Sequence, residues 1–315
     1  MYNYCTLFDS NYLTRGLAMY ESLKQYSDYF HLYIFAFDDR SYRLLSKLEL
    51  EYATVISLKE FEDEELLLLK GSRSASEYCW TCTPSIIKYS IEKYNLDSCT
   101  YLDADLYFFS NPSVLIEEMG DKSVLITEHR YSPQYNQSAT SGVYCVQFMT
   151  FKNDVNGIKI LNWWRDACNE WCYARFEDGK FGDQKYLDDW TMRFEGVHES
   201  QNLGGGVAPW NIQQYNLENR SFELIFYHFH NFKFLPNNRV ELGNYRLRKI
   251  DLKILYKPYL IHLEKIKNEI VKIDDTYDYH GTFKQKNDWK MPLRNIKRKL
   301  NQSYNVYDKE QIQGL

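Results

Sequence analysis

The run Thr100-Tyr-Leu-Asp-Ala-Asp-Leu-Tyr-Phe-Phe-Ser-Asn-Pro112 constrains this 315-residue chain more than any other segment. A β-prone apolar stretch ends in Asp103-Ala104-Asp105, more apolar residues follow, and Asn111-Pro112 marks a turn. Two carboxylates at the end of a buried strand are costly unless something neutralises them. A hard divalent cation such as Mg²⁺ or Mn²⁺ prefers carboxylate oxygens and commonly bridges a protein to substrate phosphates. The triplet therefore reads as a holder for a cation and a diphosphate. Asp pairs are common in loops, so this reading rests on what else the chain carries.

The flanking sequence supplies a frame. Tyr4 to Phe8, Phe30 to Phe37 and Ala53 to Leu58 read as strands, and Leu17 to Tyr26 and Tyr42 to Glu51 as helices between them. Ser85 to Tyr94 reads as a helix starting after Pro84 and leading into the Asp-X-Asp strand. Val124 to Thr127 and Gly142 to Phe148 are further strands, and Gly157 to Tyr173 is a Trp-containing helix. Strands alternating with helices imply an α/β layer with a largely parallel sheet. In such sheets ligands sit beyond the carboxyl ends of the strands, where Asp9 and Asp103–Asp105 both fall.

Composition narrows the class. A net charge of -5 argues against general nucleic-acid binding. Aromatic residues make up 17% of the chain and suit stacking on bases and sugars, although Tyr also fills cores. Seven scattered Cys do not read as a disulfide framework. Cys79-Trp-Thr-Cys82 has C-x-x-C spacing, but no second pair follows at zinc-finger spacing, so buried structural thiols are expected. The N-terminus lacks a basic region and an apolar h-region, and no apolar run approaches the ~20 residues of a membrane helix. The expectation is a cytoplasmic protein, with peripheral contact on the inner face of the cell membrane left open.

Four ordered segments resemble nucleotide-sugar glycosyltransferases of the GT-A fold, in motif order similar to glycosyltransferase family 8. They are Thr6-Leu-Phe-Asp9-Ser-Asn-Tyr12, Leu102-Asp103-Ala-Asp105 with Asn111-Pro112, Gly182-Asp183-Gln184 through Trp190, and Phe226-Tyr-His228-Phe-His230-Asn-Phe-Lys233. The resemblance implies a Rossmann-like mixed, largely parallel sheet flanked by helices. It implies that Asp103, Asp105 and a late His hold Mn²⁺ or Mg²⁺. His228 fits the ligand position; His230 shares its face in an extended segment, so either ring could serve. Asn231 stands where the family has Gly, and Lys233 comes one residue early.

The resemblance also implies donor contacts. Thr6, Asp9 and Tyr12 would face the nucleotide base, while Asp9-Ser-Asn11 equally reads as an Asx turn. Asp103 and Ala104 would meet the donor, as would Gly142 in Thr140-Ser-Gly-Val143 and Lys233 near the diphosphate. A basic residue before the Asp-X-Asp strand is expected there too, and Arg73 and Lys88 both qualify. Asp183 and Gln184 would carry catalysis beside the anomeric carbon, with N-capping of a helix as the plainer role for Asp183. Gly204-Gly-Gly-Val-Ala-Pro-Trp-Asn211 lacks the P-loop pattern and reads as a loop lining an acceptor cleft, or merely a flexible turn.

The implied function is metal-dependent transfer of a sugar from a nucleotide-diphospho-sugar, a UDP-sugar by preference. The acceptor would be a glycan or lipid-linked molecule, and the configuration would be retained. A sugar-phosphate nucleotidyltransferase shares the layout but puts a Gly-rich loop after its first strand, and a non-catalytic carbohydrate-binding protein has no use for a cation–diphosphate site. The catalytic domain is expected over residues 1–237, with a C-terminal helical extension and basic tail over 238–315. In that tail, a helix is expected from Leu252 to Lys272, and the basic, apolar segment Trp289 to Leu300 reads as either a membrane-surface contact or a solvated helix.

Overall fold

A computed structural model of the chain describes residues 1–219, 222–277, 281–283 and 291–315. Twelve strands are named among these residues: β1 Tyr2–Phe8, β2 Phe30–Ala36, β3 Ala53–Ser57, β4 Ser98–Leu102, β5 Leu106–Phe108, β6 Val124–Glu128, β7 Tyr144–Lys152, β8 Val197–Glu199, β9 Phe226–His228, β10 Phe232–Leu235, β11 Arg239–Leu242 and β12 Val306–Asp308. The central sheet has the order β3-β2-β1-β4-β7-β6-β8. β3, β2, β1 and β4 run parallel, β7 is antiparallel to β4 and β6, and β8 is parallel to β6. The expected mixed, largely parallel sheet is therefore present.

The strand sequences explain how the sheet is covered. In β2, Leu32, Ile34 and Ala36 join one apolar cluster while Tyr33 and Phe35 join the other. In β1, Tyr4 and Phe8 face the first cluster and Cys5 and Leu7 the second. This period of two puts apolar side chains on both faces, as a sheet covered by helices on both sides requires. Helices Ala75–Tyr94 and Val155–Glu170 pack together over the second face. Helices Leu13–Tyr26 and Lys257–Ile273 pack together over the first.

The helix expected from Ser85 starts ten residues earlier. Ser74 and Glu77 form a reciprocal capping box at its N-terminus, and Pro84 lies inside it. An interior proline costs a helix roughly 3 kcal/mol. Burial of Cys82, Ile86, Ile87 and Ile91 in the second core offsets that cost. Both residues of the C-x-x-C pair thus sit on a helix, and all seven Cys are free thiols.

The C-terminal region is not a free tail. β11 pairs with β10 and β12 with β11, so residues 306–308 complete a three-stranded sheet begun at Phe232. Lys309 bonds Glu264, and Ile312 is 1% exposed in the same cluster as Tyr4 and Leu13. The expected helix at Leu252 begins with a wide π turn over Leu252–Tyr256 and continues as Lys257–Ile273. Trp289 and Lys290 of the basic segment lie outside the described residues; its remainder forms the helix Met291–Leu300. No helix among the described residues is long and apolar enough to cross a membrane.

Ile312 discriminates between a solvated end and a structural one. Ile312→Ala is expected to lower unfolding free energy by about 2–4 kcal/mol in urea denaturation, the range for a buried Ile. A solvated tail residue would change it by no more than about 0.5 kcal/mol.

Candidate active site

The site forms where β1, β4 and β9 end. Asp103, Ala104 and Asp105 make the turn between β4 and β5, and β5 pairs antiparallel with β9, so that Leu106 stands opposite His228. The Phe229 N–H donates to the Asp105 carbonyl at 2.9 Å and extends the ribbon past both residues. His228 is thereby laid beside the carboxylates, with Nε2 3.1 Å from Asp105 Oδ1 and 3.7 Å from Asp103 Oδ2. The three side chains offer two oxygens and one nitrogen, all within 4.8 Å of one another. His230 stays outside this cluster: its Nε2 lies 2.7 Å from Asn231 Nδ2 and its ring meets the Trp210 edge.

Burial and mutual charge set the ionisation here. Burial and Asp105, opposed by His228, leave the Asp103 carboxyl raised to about 6. Burial also acts against Asp105, but His228 outweighs it and holds that carboxyl below the ordinary range. His228 shows the mirror image, with burial overcome by Asp105 so that its affinity for a proton rises. Burial, with His228 adding to it, lowers His230 to about 4. The Tyr101 hydroxyl donates to Asp103 Oδ1 at 2.9 Å and fixes one oxygen of that carboxylate.

The loop after β1 is built by its own polar side chains. Asp9 Oδ1 accepts from the N–H groups of Asn11 and Tyr12, and Asn11 Nδ2 donates to Asp9 Oδ2. The Asx turn considered for Asp9 is therefore present, and each carboxylate oxygen keeps a further lone pair. Ser10 donates through N–H and Oγ to Asp38, and Tyr277 donates to the Ser10 carbonyl. The Arg15 guanidinium lies 4.5 Å from the Tyr12 ring centre and bonds the carbonyls of Asn11 and Phe232. It ties this loop to the strand that follows His228.

The third wall comes from the segment after Gly182. Here one 3₁₀ turn, Lys185–Leu187, replaces the expected helix, and Asp183 caps nothing. Asp183 is instead 5% exposed, with its carbonyl accepting from Trp164 Nε1. Burial, with Asp103 adding to it, raises its carboxyl to about 8. Gln184 Nε2 donates to the Ser141 carbonyl at 2.6 Å, leaving the amide oxygen as its remaining acceptor. Gly142, at φ +105°, lets the chain pass Asp188, whose Oδ1 would lie 3.0 Å from any added Cβ.

One cavity of about 550 Å³ joins these groups, within the usual range for small-molecule sites. Asp9, Tyr12, Asp103, Ala104, Asp105, Asp183, Gln184, His228 and His230 all border it. Thr6, Lys88, Gly142 and Lys233 are not part of its lining. Thr6 is buried within β1, and Lys88 bonds Asn162 and Glu92 between helices. Lys233 stands over the Phe283 ring, and Arg73 lies on Tyr173 and bonds the Asn169 carbonyl. Gly204, Gly205 and Gly206 are buried against Glu223, Leu115 and Thr127 rather than on the cavity wall. Trp210, from the same segment, does border the cavity, as do three aromatic residues that the sequence reading passed over, His129, Tyr131 and Tyr245. Their only sequence signal is aromatic content. Gln147, behind His228, left a sharper one: a lone amide in the apolar run of β7.

Comparison with known proteins bears on the fold. No family model matches the chain. The Bacillus subtilis (strain 168) uncharacterised protein YfnD is 30% identical over 282 residues, 85% of this chain and 91% of its own length. YfnF of the same strain is 30% identical over 292 residues, 87% of this chain and 96% of its own. Among solved structures, the galactosyltransferase LgtC, crystallised with donor and acceptor sugar analogues, superimposes with a TM-score of 0.53. The match covers 84% of this chain and 95% of LgtC at 12% identity. The chain thus has the GT-A fold.

The buried Asp183 carboxyl gives a pH-dependent signature. Its pKa is higher folded than unfolded, so between about 4 and 8 the folded state keeps a proton that the unfolded state has lost, and stability falls as pH rises through that window. Asp183→Asn removes this dependence. In EDTA, the stability of the variant relative to the parent is expected to grow by about 1–3 kcal/mol between pH 5.5 and 8.5, read from urea denaturation. A constant difference would contradict the assignment.

Proposed function

The chain belongs to the family of YfnD and YfnF, and we propose that it is a metal-dependent glycosyltransferase that uses a nucleotide-diphospho-sugar, specifically a UDP-sugar. The observation that carries this reading is the meeting of Asp103, Asp105 and His228 in one cavity with the Asp9–Tyr12 loop and the Asp183–Gln184 turn. The GT-A fold supports it.

The donor set fits a divalent cation. Two carboxylates and one imidazole suit Mn²⁺ or Mg²⁺, and the buried carboxylates lack enough positive charge of their own. When bound, such a cation supplies Lewis-acid neutralisation of the diphosphate leaving group. The protein's own groups do the rest. Tyr101 keeps Asp103 turned toward the cluster. Tyr12 offers a ring for base stacking, and Asp9 a carboxylate for a base N–H. Asp183 hydrogen-bonds sugar hydroxyls, as donor when protonated and acceptor when ionised. Gln184, its NH₂ engaged by Ser141, directs oxygen density toward the anomeric carbon as positive charge develops there. Transfer proceeds with retention in this reading, as the resemblance to glycosyltransferase family 8 implies.

The acceptor is a glycan or a lipid-linked sugar. Leu293, Ile296 and Leu300 are exposed on the helix Met291–Leu300, spaced along one face beside Arg294, Lys297 and Lys299. That face supports peripheral contact with an anionic membrane.

Two measurements test the reading. UDP should bind far more weakly in EDTA than with Mn²⁺ in calorimetry, and His228→Ala should abolish at least about tenfold of the Mn²⁺-dependent gain while His230→Ala largely preserves it. The reverse ordering would exchange the two histidines, and equal binding with and without metal would end the metal reading. Gln184→Ala should lower kcat by about 10²-fold with UDP affinity nearly unchanged; a loss confined to UDP affinity would remove Gln184 from the reacting centre.

A further inference from the structure

Gln147 is fully buried in the middle of β7, in the sequence Tyr-Cys-Val-Gln-Phe-Met-Thr-Phe-Lys. An amide in such a strand is costly unless its polar atoms find partners, and here the oxygen has one while Nε2 is buried without a hydrogen bond among the described residues. Its side-chain oxygen lies 2.8 Å from His228 Nδ1. Its main-chain carbonyl accepts the Asp103 N–H at 3.0 Å. One residue therefore grips both halves of the cluster, the β4–β5 turn by its backbone and the β9 imidazole by its side chain. Space for the amide comes from Gly206, where an added Cβ would lie 2.9 Å from Thr127 Cγ2 and 3.3 Å from Gln147 Nε2.

An imidazole that donates from Nδ1 keeps its proton on that atom, and Nε2 becomes the atom free to exchange a proton for a metal. In His228, Nε2 is the atom that faces Asp105 and Asp103. We propose that Gln147 is the positioning residue of the cluster: its amide oxygen holds His228 with the proton on Nδ1 and the ring turned so that Nε2 completes a three-point cation cradle with Asp103 and Asp105. The consequence for the cation rests on the metal reading above; the hold on the ring does not. Gln147 touches neither donor nor acceptor and acts only through His228 and Asp103.

The test uses the full-length protein. In ¹⁵N–¹H spectra of the metal-free parent, the His228 Nδ1–H signal, assigned by its loss in His228→Asn, should be present and slow to exchange with water. Gln147→Met, of similar size but without an acceptor, should lose that protection. Gln147→Glu, which keeps an oxygen in place, should retain it. Mn²⁺ affinity, read from the electron paramagnetic resonance of free Mn²⁺, should fall at least about tenfold in Gln147→Met and largely recover in Gln147→Glu. A parent ring carrying no proton on Nδ1 overturns the proposal without any variant. So does a folded Gln147→Met with unchanged Nδ1–H protection and unchanged Mn²⁺ affinity. A parent that binds no Mn²⁺ while its Nδ1–H stays protected upholds the hold on the ring and overturns the metal reading instead.

Discussion

The short antiparallel pairing of β5 with β9 is the contact on which the site depends. It sets Leu106 against His228 and joins the Phe229 N–H to the Asp105 carbonyl. With this register, side chains from distant parts of the chain meet within hydrogen-bonding reach. Successive strand residues point to opposite faces, so a slip of one position would turn His228 away from the carboxylates. The buried rings around the ribbon resist such a slip, with Phe108 and Phe148 packed against Phe226 and Phe229 stacked on Tyr259 at 3.7 Å.

The pairing concentrates charge in a place with little water. Asp105 raises the cost of ionising Asp103, and Asp103 that of Asp183, while His228 favours ionised Asp105. Such a cluster adds little to stability, since removing several charges from water costs more than a few pairings return. Its persistence in a well-packed fold points to chemistry, with the rest of the structure bearing the cost. The bearing is visible around it. Asp38 and Tyr277 brace the loop after β1, Trp164 holds the Asp183 carbonyl, and Tyr101 and Gln147 contact Asp103 and His228.

The region after residue 237 takes part in the same economy of burial. Tyr277 reaches from beyond the helix Lys257–Ile273 to the loop after β1, and Ile312 closes the core beneath Leu13 and Tyr4. The ends of the chain and the walls of the cavity are therefore mechanically connected through packed side chains, even though, Tyr245 apart, the residues that line the cavity come from earlier in sequence.

Local patterns made much of this readable in advance. Period-two apolar runs gave the strands and the covered sheet, and the Asp-X-Asp triplet, the Asp183-Gln184 pair and the His228 motif named most of the cavity's polar lining. Each is short-range information: a few neighbouring residues suffice to specify it. What escaped depended on partners remote in sequence. Lys88 and Lys233 were expected at the donor but found Asn162, Glu92 and Phe283. Pro84 looked like a boundary, but the capping box at Ser74 and the core beneath it carried the helix through. The terminal residues looked polar, yet a ladder with β11 gave them a place. The motif favoured His228 without excluding His230, and the register of β9 against β5 lays His228 beside the carboxylates. Gln147 acquired a role only when β7 brought its amide under the imidazole. Backbone pairing and burial act between residues that sequence leaves far apart, so tertiary structure alone decided these points.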